Sequence, residues 1–443
     1  MHFIHTADWH LGNQMHDIDR RDEAQAFFRW LKNQIVATQA VALVVAGDIF
    51  DTANPSVEAR RLYYSFLASL VDSCCKNVII VGGNHDSAIM LDAAKELLDV
   101  LNIRVVGSIN NLSPADMCFE LRGADDEVCG ICMAVPFVRE VELRNLLADK
   151  ATGDAQAENI ADGDLYSVAY KALYQQVYDA AVTLRGRRKI PIIATGHLYA
   201  ADLEGRLSDA RSNVKTDDGV KVLDVLGTLG NVPPSVFPSA DYVALGHIHY
   251  STKVARNPAV RYSGSPFVMG FDEATIPHYV LSVDMTADNS DALKVKKIET
   301  PQTFVYRRLS GSLSDIKTEL HALAKVAASA QAKADASQNV KPVYLELCYK
   351  RELGVSVQEF LDEAIHALPA SVSVVSWKIA EADKTAPGES FAQYDAAEIK
   401  NLDDTEIFTH LILSKSGLHA DSDEGKQAVA QFLPLFLQMA DIS

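Results

Sequence analysis

This sequence is short of positive charge. Lysine and arginine number 41 against 59 aspartates and glutamates, a formal net charge of -18 and a pI near 5.1. That balance argues against a protein that grips nucleic acid through a general electrostatic field. A nucleic-acid substrate would need a locally basic face, or metal ions and a partner to bring the charge. The plainer use of the acidity is solubility. Cysteine is scarce too: Cys74, Cys75, Cys118, Cys129, Cys132 and Cys348 are the only six, and they form no disulfide framework. Cys129 and Cys132 have C-x-x-C spacing but fall in an apolar, strand-like run at 128–135. Positions three apart on a strand face opposite sides, so a shared metal or redox disulfide is not expected there. Free thiols fit a reducing cytosol. No apolar run approaches the ~20 residues that span a bilayer. A strand beginning at Phe3 leaves no room for a leader. The expectation is a soluble, cytoplasmic protein.

With 48% hydrophobic residues, the chain can bury a large core, and 443 residues suggest two or three domains. Residues 1–285 alternate short apolar runs with helical periodicity, the mark of an α/β fold. Strands are expected at 3–7, 41–45, 78–81, 104–106, 117–121, 128–135, 190–194, 242–245, 260–262 and 278–283. Helices are expected at 20–38, from Asn54-Pro55 onward with Asn54 as N-cap, at 89–101 and through most of 141–185. Two sheets packed face to face with helices outside would bring the strand ends to one rim. The polar stretch 200–220 is either an active-site loop or a plain surface excursion.

The texture changes after 285. Strands at 294–299, 305–309, 343–349 and 372–379, with helices at 314–334 and 357–368, read as a small α+β capping domain over 286–383. A linker follows at 384–400, then a tail at 401–443 with two amphipathic helical patterns. Pro434 should kink the second. Two short helices bury little by themselves, so they fold back or offer an apolar groove to a partner.

Five runs at strand ends carry the chemistry: Asp8-Trp9-His10, Gly47-Asp48-Ile49-Phe50-Asp51, Gly83-Asn84-His85-Asp86, Gly196-His197 and Gly246-His247-Ile248-His249. Asp, Asn and His are ligands for hard and borderline divalent cations. Each run alone has a bland reading as a turn or a cap; the ordered set does not. Phosphodiester hydrolysis needs an activated water and neutralised phosphoryl charge, which two divalent ions about 3.5–4 Å apart can provide. Asp48, ending a central strand, is the natural bridge. One site could comprise Asp8, His10, Asp48 and His249, the other Asp48, Asn84, His197 and His247. A neutral amide at Asn84 limits the negative charge an anionic phosphate meets. His85 is not needed by either set and could donate a proton to the leaving oxygen. Asp51 and Asp86 could orient His85 or a ligand histidine. His2, His5, His16 and His278 have no matching role. The turn at 262–266 could approach phosphate through backbone N–H groups, or be an ordinary turn.

These runs resemble the calcineurin-like metallophosphoesterases, and within them the DNA-repair nuclease branch. The resemblance rests on His5-Thr-Ala-Asp8-Trp-His10-Leu-Gly12, Val45-Ala-Gly-Asp48-Ile-Phe-Asp51-Thr, Gly83-Asn-His-Asp86-Ser, Ile193-Ala-Thr-Gly-His197-Leu, Ala244-Leu-Gly-His-Ile-His249 and Arg261-Tyr-Ser-Gly-Ser-Pro266. It implies a two-sheet sandwich flanked by helices, the two ligand sets above with two manganese ions, and His85 as proton donor. It also implies 3′→5′ exonuclease and endonuclease action on double-stranded DNA, at hairpins and blocked ends, in repair, replication and recombination. The implied assembly is a homodimer within a heterotetramer. Its partner is an SMC-like ATPase, whose coiled-coil base the tail helices would meet. Association with the nucleoid would follow from DNA binding. Phosphoprotein phosphatases of the superfamily read GDxVDRG and GNHE; here GDxxD lacks the Arg-Gly ending and GNHD replaces GNHE. A small-molecule phosphodiesterase is the alternative, and it would need neither cap nor tail. A non-catalytic scaffold would have lost ligands, and none is missing.

Overall fold

A computed structural model describes residues 1–148, 162–200, 232–285, 293–333, 341–350, 356–380, 408–409, 413 and 422–440. The linker at 384–400, the expected loop beyond Ala200 and most of the first tail pattern lie outside the described residues. The body is built on β1 (His2–Thr6), β2 (Ala42–Ala46), β3 (Asn77–Val81), β4 (Ile103–Val106), β5 (Cys118–Arg122), β6 (Val128–Met133), β7 (Ile192–His197), β8 (Tyr242–Gly246), β9 (Thr252–Lys253), β10 (Val260–Tyr262), β11 (Tyr279–Asp284) and β12 (Lys294–Glu299). They form two six-stranded sheets, in the orders β12-β11-β1-β2-β3-β4 and β5-β6-β7-β8-β10-β9. Strands β1 to β4 are mutually parallel, as are β6, β7, β8 and β10; antiparallel pairs close both edges of the second sheet and the β12 edge of the first, whose other edge is the parallel β4.

Period-two alternation sorts the side chains. Phe3, Ala42, Val44, Ile79 and Val81 point between the sheets and meet Cys132, Ile193 and Tyr242. Their neighbours Ile4, Leu43, Val45, Val78 and Ile80 point outward onto two helices, α1 (Arg21–Thr38) and α2 (Val57–Leu70). There they meet Phe27, Leu31, Ile35, Tyr63 and Phe66, at 3.6-residue spacing. Burying one such leucine stabilises the fold by about 2 kcal/mol. Because both faces are covered, these strands read as continuous apolar runs. The far face of the second sheet is covered through Tyr170, Leu173, Tyr174 and Val177 of a long helix, residues 162–185.

Several expectations shift. The N-cap of α2 is Ser56, whose Oγ accepts from Ala59 N–H at 3.1 Å, not Asn54. The stretch 89–101 divides into α3 (Ala88–Asp92) and α4 (Lys95–Val100), followed by α5 (Glu140–Ala148) and the long helix α6 (Asp162–Arg185). Strand β12, expected with the cap, pairs antiparallel with β11 in the first sheet. Its exposed lysines are those of an edge strand.

The smaller unit comprises β13 (Val305–Gly311), α7 (Leu313–Lys333), β14 (Val343–Tyr349), α8 (Val357–His366) and β15 (Val372–Ile379). Its strands are all parallel, and each helix is a crossover, which parallel neighbours require. Expected as α+β, it therefore has the alternating order of an α/β unit. Leu309, Leu313, Ile316, Leu320, Leu345 and Leu361 form its core. A separate apolar cluster joins it to the body: Phe304 and Tyr306 pack on Met15, Ile18, Val268 and Phe271. In the tail, α9 (Asp423–Ala440) continues through Pro434. No helix among the described residues is long and apolar enough to cross a membrane.

Candidate metal centre

The chain leaves β1, β2, β3, β7 and β8 at one rim, and each exit carries part of a polar cluster. After β1, Asp8 N–H donates to Gly47 O and His10 N–H to Asp48 O, both at 3.0 Å, so the first two exits are stitched together. Asp8, His10, Asp48 and His247 all have left-handed backbone, with φ of 54, 43, 50 and 99°. For non-glycine residues this costs on the order of 1–3 kcal/mol each and persists only where neighbours enforce it. Two glycines permit the approach. A Cβ on Gly83 would lie 2.1 Å from Asp48 Oδ1, and one on Gly246 would lie 1.9 Å from Ala46 O.

All seven expected ligand residues converge. Asp48 Oδ2 lies 3.2 Å from His197 Nε2 and 3.5 Å from His10 Nε2. Asn84 Oδ1 lies 3.0 Å from His197 Nε2 and 3.1 Å from His247 Nδ1. The His10 and His249 rings stand 5.1 Å apart, edge to face. Possible ligand atoms fall within 4.8 Å of one another in three groups: Asp8, His10 and His249; Asp8, Asp48 and His197; and His10, Asp51 and His85. Asp8 joins the first two groups, so it stands between the positions as Asp48 does. His85 sits at the exposed edge, its ring 4.9 Å from His10. Its backbone N–H donates to Asp48 Oδ1 at 2.9 Å and its Nδ1–H to Asp51 O at 2.8 Å.

Asp86 touches no histidine, contrary to expectation. It accepts backbone N–H bonds from Ile49, Phe50 and Gly83 at 2.9–3.0 Å, fastening the turn after β2 to the turn after β3. Asp51 does face a cluster histidine: its Oδ1 is 3.5 Å from His10 Nδ1. The turn at 262–266 braces the histidine loop, because Ser265 N–H donates to His249 O at 3.0 Å and Ser263 N–H to Leu245 O. His5 is buried between Tyr242 Oη and the Leu245 carbonyl, and His278 Nδ1–H donates to Ser265 O. His2 bonds Ser282, and His16 lies on Phe271. All six cysteines are free thiols. Glu273 carries no signal in the sequence, yet its Oε1 lies 3.5 Å from His249 Nδ1. It sits in a loop beyond the last motif, with no spacing to mark it.

Burial and mutual charge set the titration of the group. Burial raises the Asp8 carboxyl, while its histidine neighbours pull the other way. Asp48 is equally buried, but the His197 and His10 imidazoles outweigh burial and hold it far below the usual carboxylate range. Burial opposes charge on His197 and His249, yet Asp48 beside the first and Glu273 beside the second raise each to about 9. Burial and the His197 charge push His247 down to about 3. Without a cation, imidazolium and carboxylate thus neutralise each other. Asp8 Oδ2 and both ring nitrogens of His10 are nevertheless buried with no hydrogen-bond partner. Unpaired polar atoms at such depth are costly, and a cation held by Asp8 Oδ2 and the lone-pair nitrogen of His10 would relieve much of that cost. The Asp, Asn and His donor set fits a divalent ion of borderline or hard character.

The sequence has relatives among known proteins. Residues 1–251 match the family model for calcineurin-like phosphoesterases. The chain is 34% identical over 320 residues to SbcD of the nuclease SbcCD from Escherichia coli K12, covering 72% of this chain and 73% of that protein. The chain belongs to the calcineurin-like phosphoesterase family, in the SbcD branch. The SbcD of Rhodobacter capsulatus is 31% identical over 83% of this chain and 85% of its own length. That of Bacillus subtilis is 28% identical over 71% and 74%. A solved β-glucosidase from Exiguobacterium marinum covers 85% of this chain and 87% of its own at 12% identity, with a TM-score of 0.19, too low for a shared fold. As a member of the SbcD branch, the chain is a metal-dependent phosphodiesterase and a nuclease.

Proposed function

We propose that the chain is the nuclease subunit of an SbcCD-type complex, degrading duplex DNA 3′→5′ and cutting hairpins and blocked ends with two manganese ions. The carrying observation is the convergence, at one rim, of seven Asp, Asn and His side chains with partnerless buried donor atoms, in a relative of SbcD. Asp8, His10, Asp48 and His249 would hold one ion, and Asp48, Asn84, His197 and His247 the other. Bound ions supply phosphate charge neutralisation and a water of lowered pKa. The chain's own residues orient the rest. His197 Nδ1–H donates to Ala46 O at 2.8 Å, which fixes the tautomer and leaves Nε2 as donor atom. His85 Nδ1–H is likewise held by Asp51 O, so that in the imidazolium form the second proton sits on Nε2, from which it would pass to the leaving oxygen.

The assembly in this reading is a homodimer within a heterotetramer with an SbcC-like SMC-type ATPase, cytoplasmic and nucleoid-associated when on DNA. A partner that carries much of the DNA grip accounts for the charge of -18. The tail helix α9 presents Phe432, 45% exposed, beside Val429 and Leu433 as a docking face for it. The test uses the full chain with manganese on 5′- and 3′-labelled duplexes, a hairpin and bis(4-nitrophenyl) phosphate. Loss of nucleotides from 3′ ends and hairpin opening, both abolished by chelation, are expected. Hydrolysis of the small diester with no DNA cut, even with the ATPase present, would overturn the proposal in favour of a small-molecule phosphodiesterase.

A further inference from the structure

The histidines of the cluster are not backed alike. His197 is backed by a backbone carbonyl, and His247 Nδ1 faces an amide oxygen. His10 and His249 instead each turn Nδ1 to a carboxylate, Asp51 Oδ1 and Glu273 Oε1, at 3.5 Å in both cases. These two histidines share one group with Asp8, while His197 falls with Asp8 and Asp48 in another. Carboxylate-backed imidazoles are stronger ligands, with Nε2 left to bind.

Followed outward, both carboxylates end at the same place. Asp51 Oδ1 accepts from Asn13 Nδ2 at 2.9 Å, and Asn13 Oδ1 accepts from Arg20 Nη1 at 3.0 Å. Arg20 Nε donates to Glu23 Oε2 at 2.7 Å, the same oxygen that Tyr306 Oη–H reaches at 3.4 Å. The Arg20 side chain is only 9% exposed, and its guanidinium lies 5.8 Å from the centre of the Tyr306 ring. On the other arm, Glu273 Oε2 accepts from Met269 N–H at 2.8 Å. Within the span from Met269 to Glu273, Phe271 packs edge-on against Tyr306, ring centres 5.9 Å apart. Met269 Sδ also lies 3.9 Å from Arg20 Nη1. Tyr306 belongs to β13 of the capping unit, so the two arms meet at the joint between that unit and the body.

We propose that Asp51 and Glu273 are positioning residues for one cation position alone, that of Asp8, His10 and His249, and that the capping-unit joint sets that position through Arg20 and Phe271. The inference rests on the two-cation reading above. It makes one ion responsive to how the capping unit seats, while the position of Asn84, His197 and His247 is fixed by the strand ends themselves.

The experiment is a manganese titration of the full chain, followed by calorimetry and by electron paramagnetic resonance. Wild type should bind two ions and show the signal of a coupled pair. Glu273→Ala should weaken one site by about 10–100-fold and leave the other unchanged. Glu273→Gln, whose amide oxygen can still accept from an imidazole N–H, should recover much of the loss. Phe271→Ala touches no ligand and should weaken the same site by a smaller factor. Equal weakening of both sites, or a two-ion wild type whose variants bind as it does, would overturn the proposal alone. A wild type that binds fewer than two ions would overturn the two-cation reading and this inference with it.

Discussion

Four cluster residues hold left-handed backbone because hydrogen bonds between adjacent strand ends force them to, and this aims their side chains at one point. The same crowding governs their protons. In the protein without a cation, burial opposes charge on His197 and His249, but Asp48 and Glu273 overcome it and hold both rings protonated to about 9. A cation takes only the neutral ring. Manganese binding at pH 7 should therefore expel protons, and affinity should rise with pH toward 9 and fall below it. Calorimetry at pH 7 in two buffers of different ionisation enthalpy reads the count directly; a count of zero contradicts this electrostatic account. The proposed ligands were legible because each stands beside a glycine or a second such residue in a short run. Glu273 and Asn13 were not, because they act through space from a loop and a turn whose sequences carry no period.

At the level of elements, the strand runs were legible since burial on both faces leaves only apolar residues in the interiors of β2 and β3. Strand β12 was misplaced because its exposed lysines carry no core signal, and only its pairing with β11 assigns it. Pro55 suggested an earlier helix start than the one Ser56 caps. The turns are where elements become a site. Asp86 is 3% exposed and accepts three backbone N–H bonds across two of them. Asp86→Ala would leave three buried donors unmet. It should lower stability by about 2–4 kcal/mol, read as a shift of the urea midpoint in the metal-free chain. A loss under about 0.5 kcal/mol, the size of an ordinary surface change, would show that the turns do not depend on it.

For the whole molecule, the net charge of -18 and the added capping unit agree with the proposal that this nuclease works with a partner. The two-sheet architecture followed from the alternation of apolar runs and helices. The parallel order of the capping unit did not, because strand direction depends on pairing that no local pattern encodes. His85 is the point where the cluster and the proposed function meet: it sits at the exposed edge, tied to Asp48 and Asp51. The most direct measurement is manganese-dependent cleavage of a labelled linear duplex by wild type and His85→Ala, each with and without an SbcC-type ATPase, with bound manganese counted in both. The account predicts two ions in each protein and a rate lower by about 10²–10⁴-fold in the variant, with ATP-responsive cutting only in the wild-type complex. Equal cleavage by wild type and variant at equal metal content would contradict it.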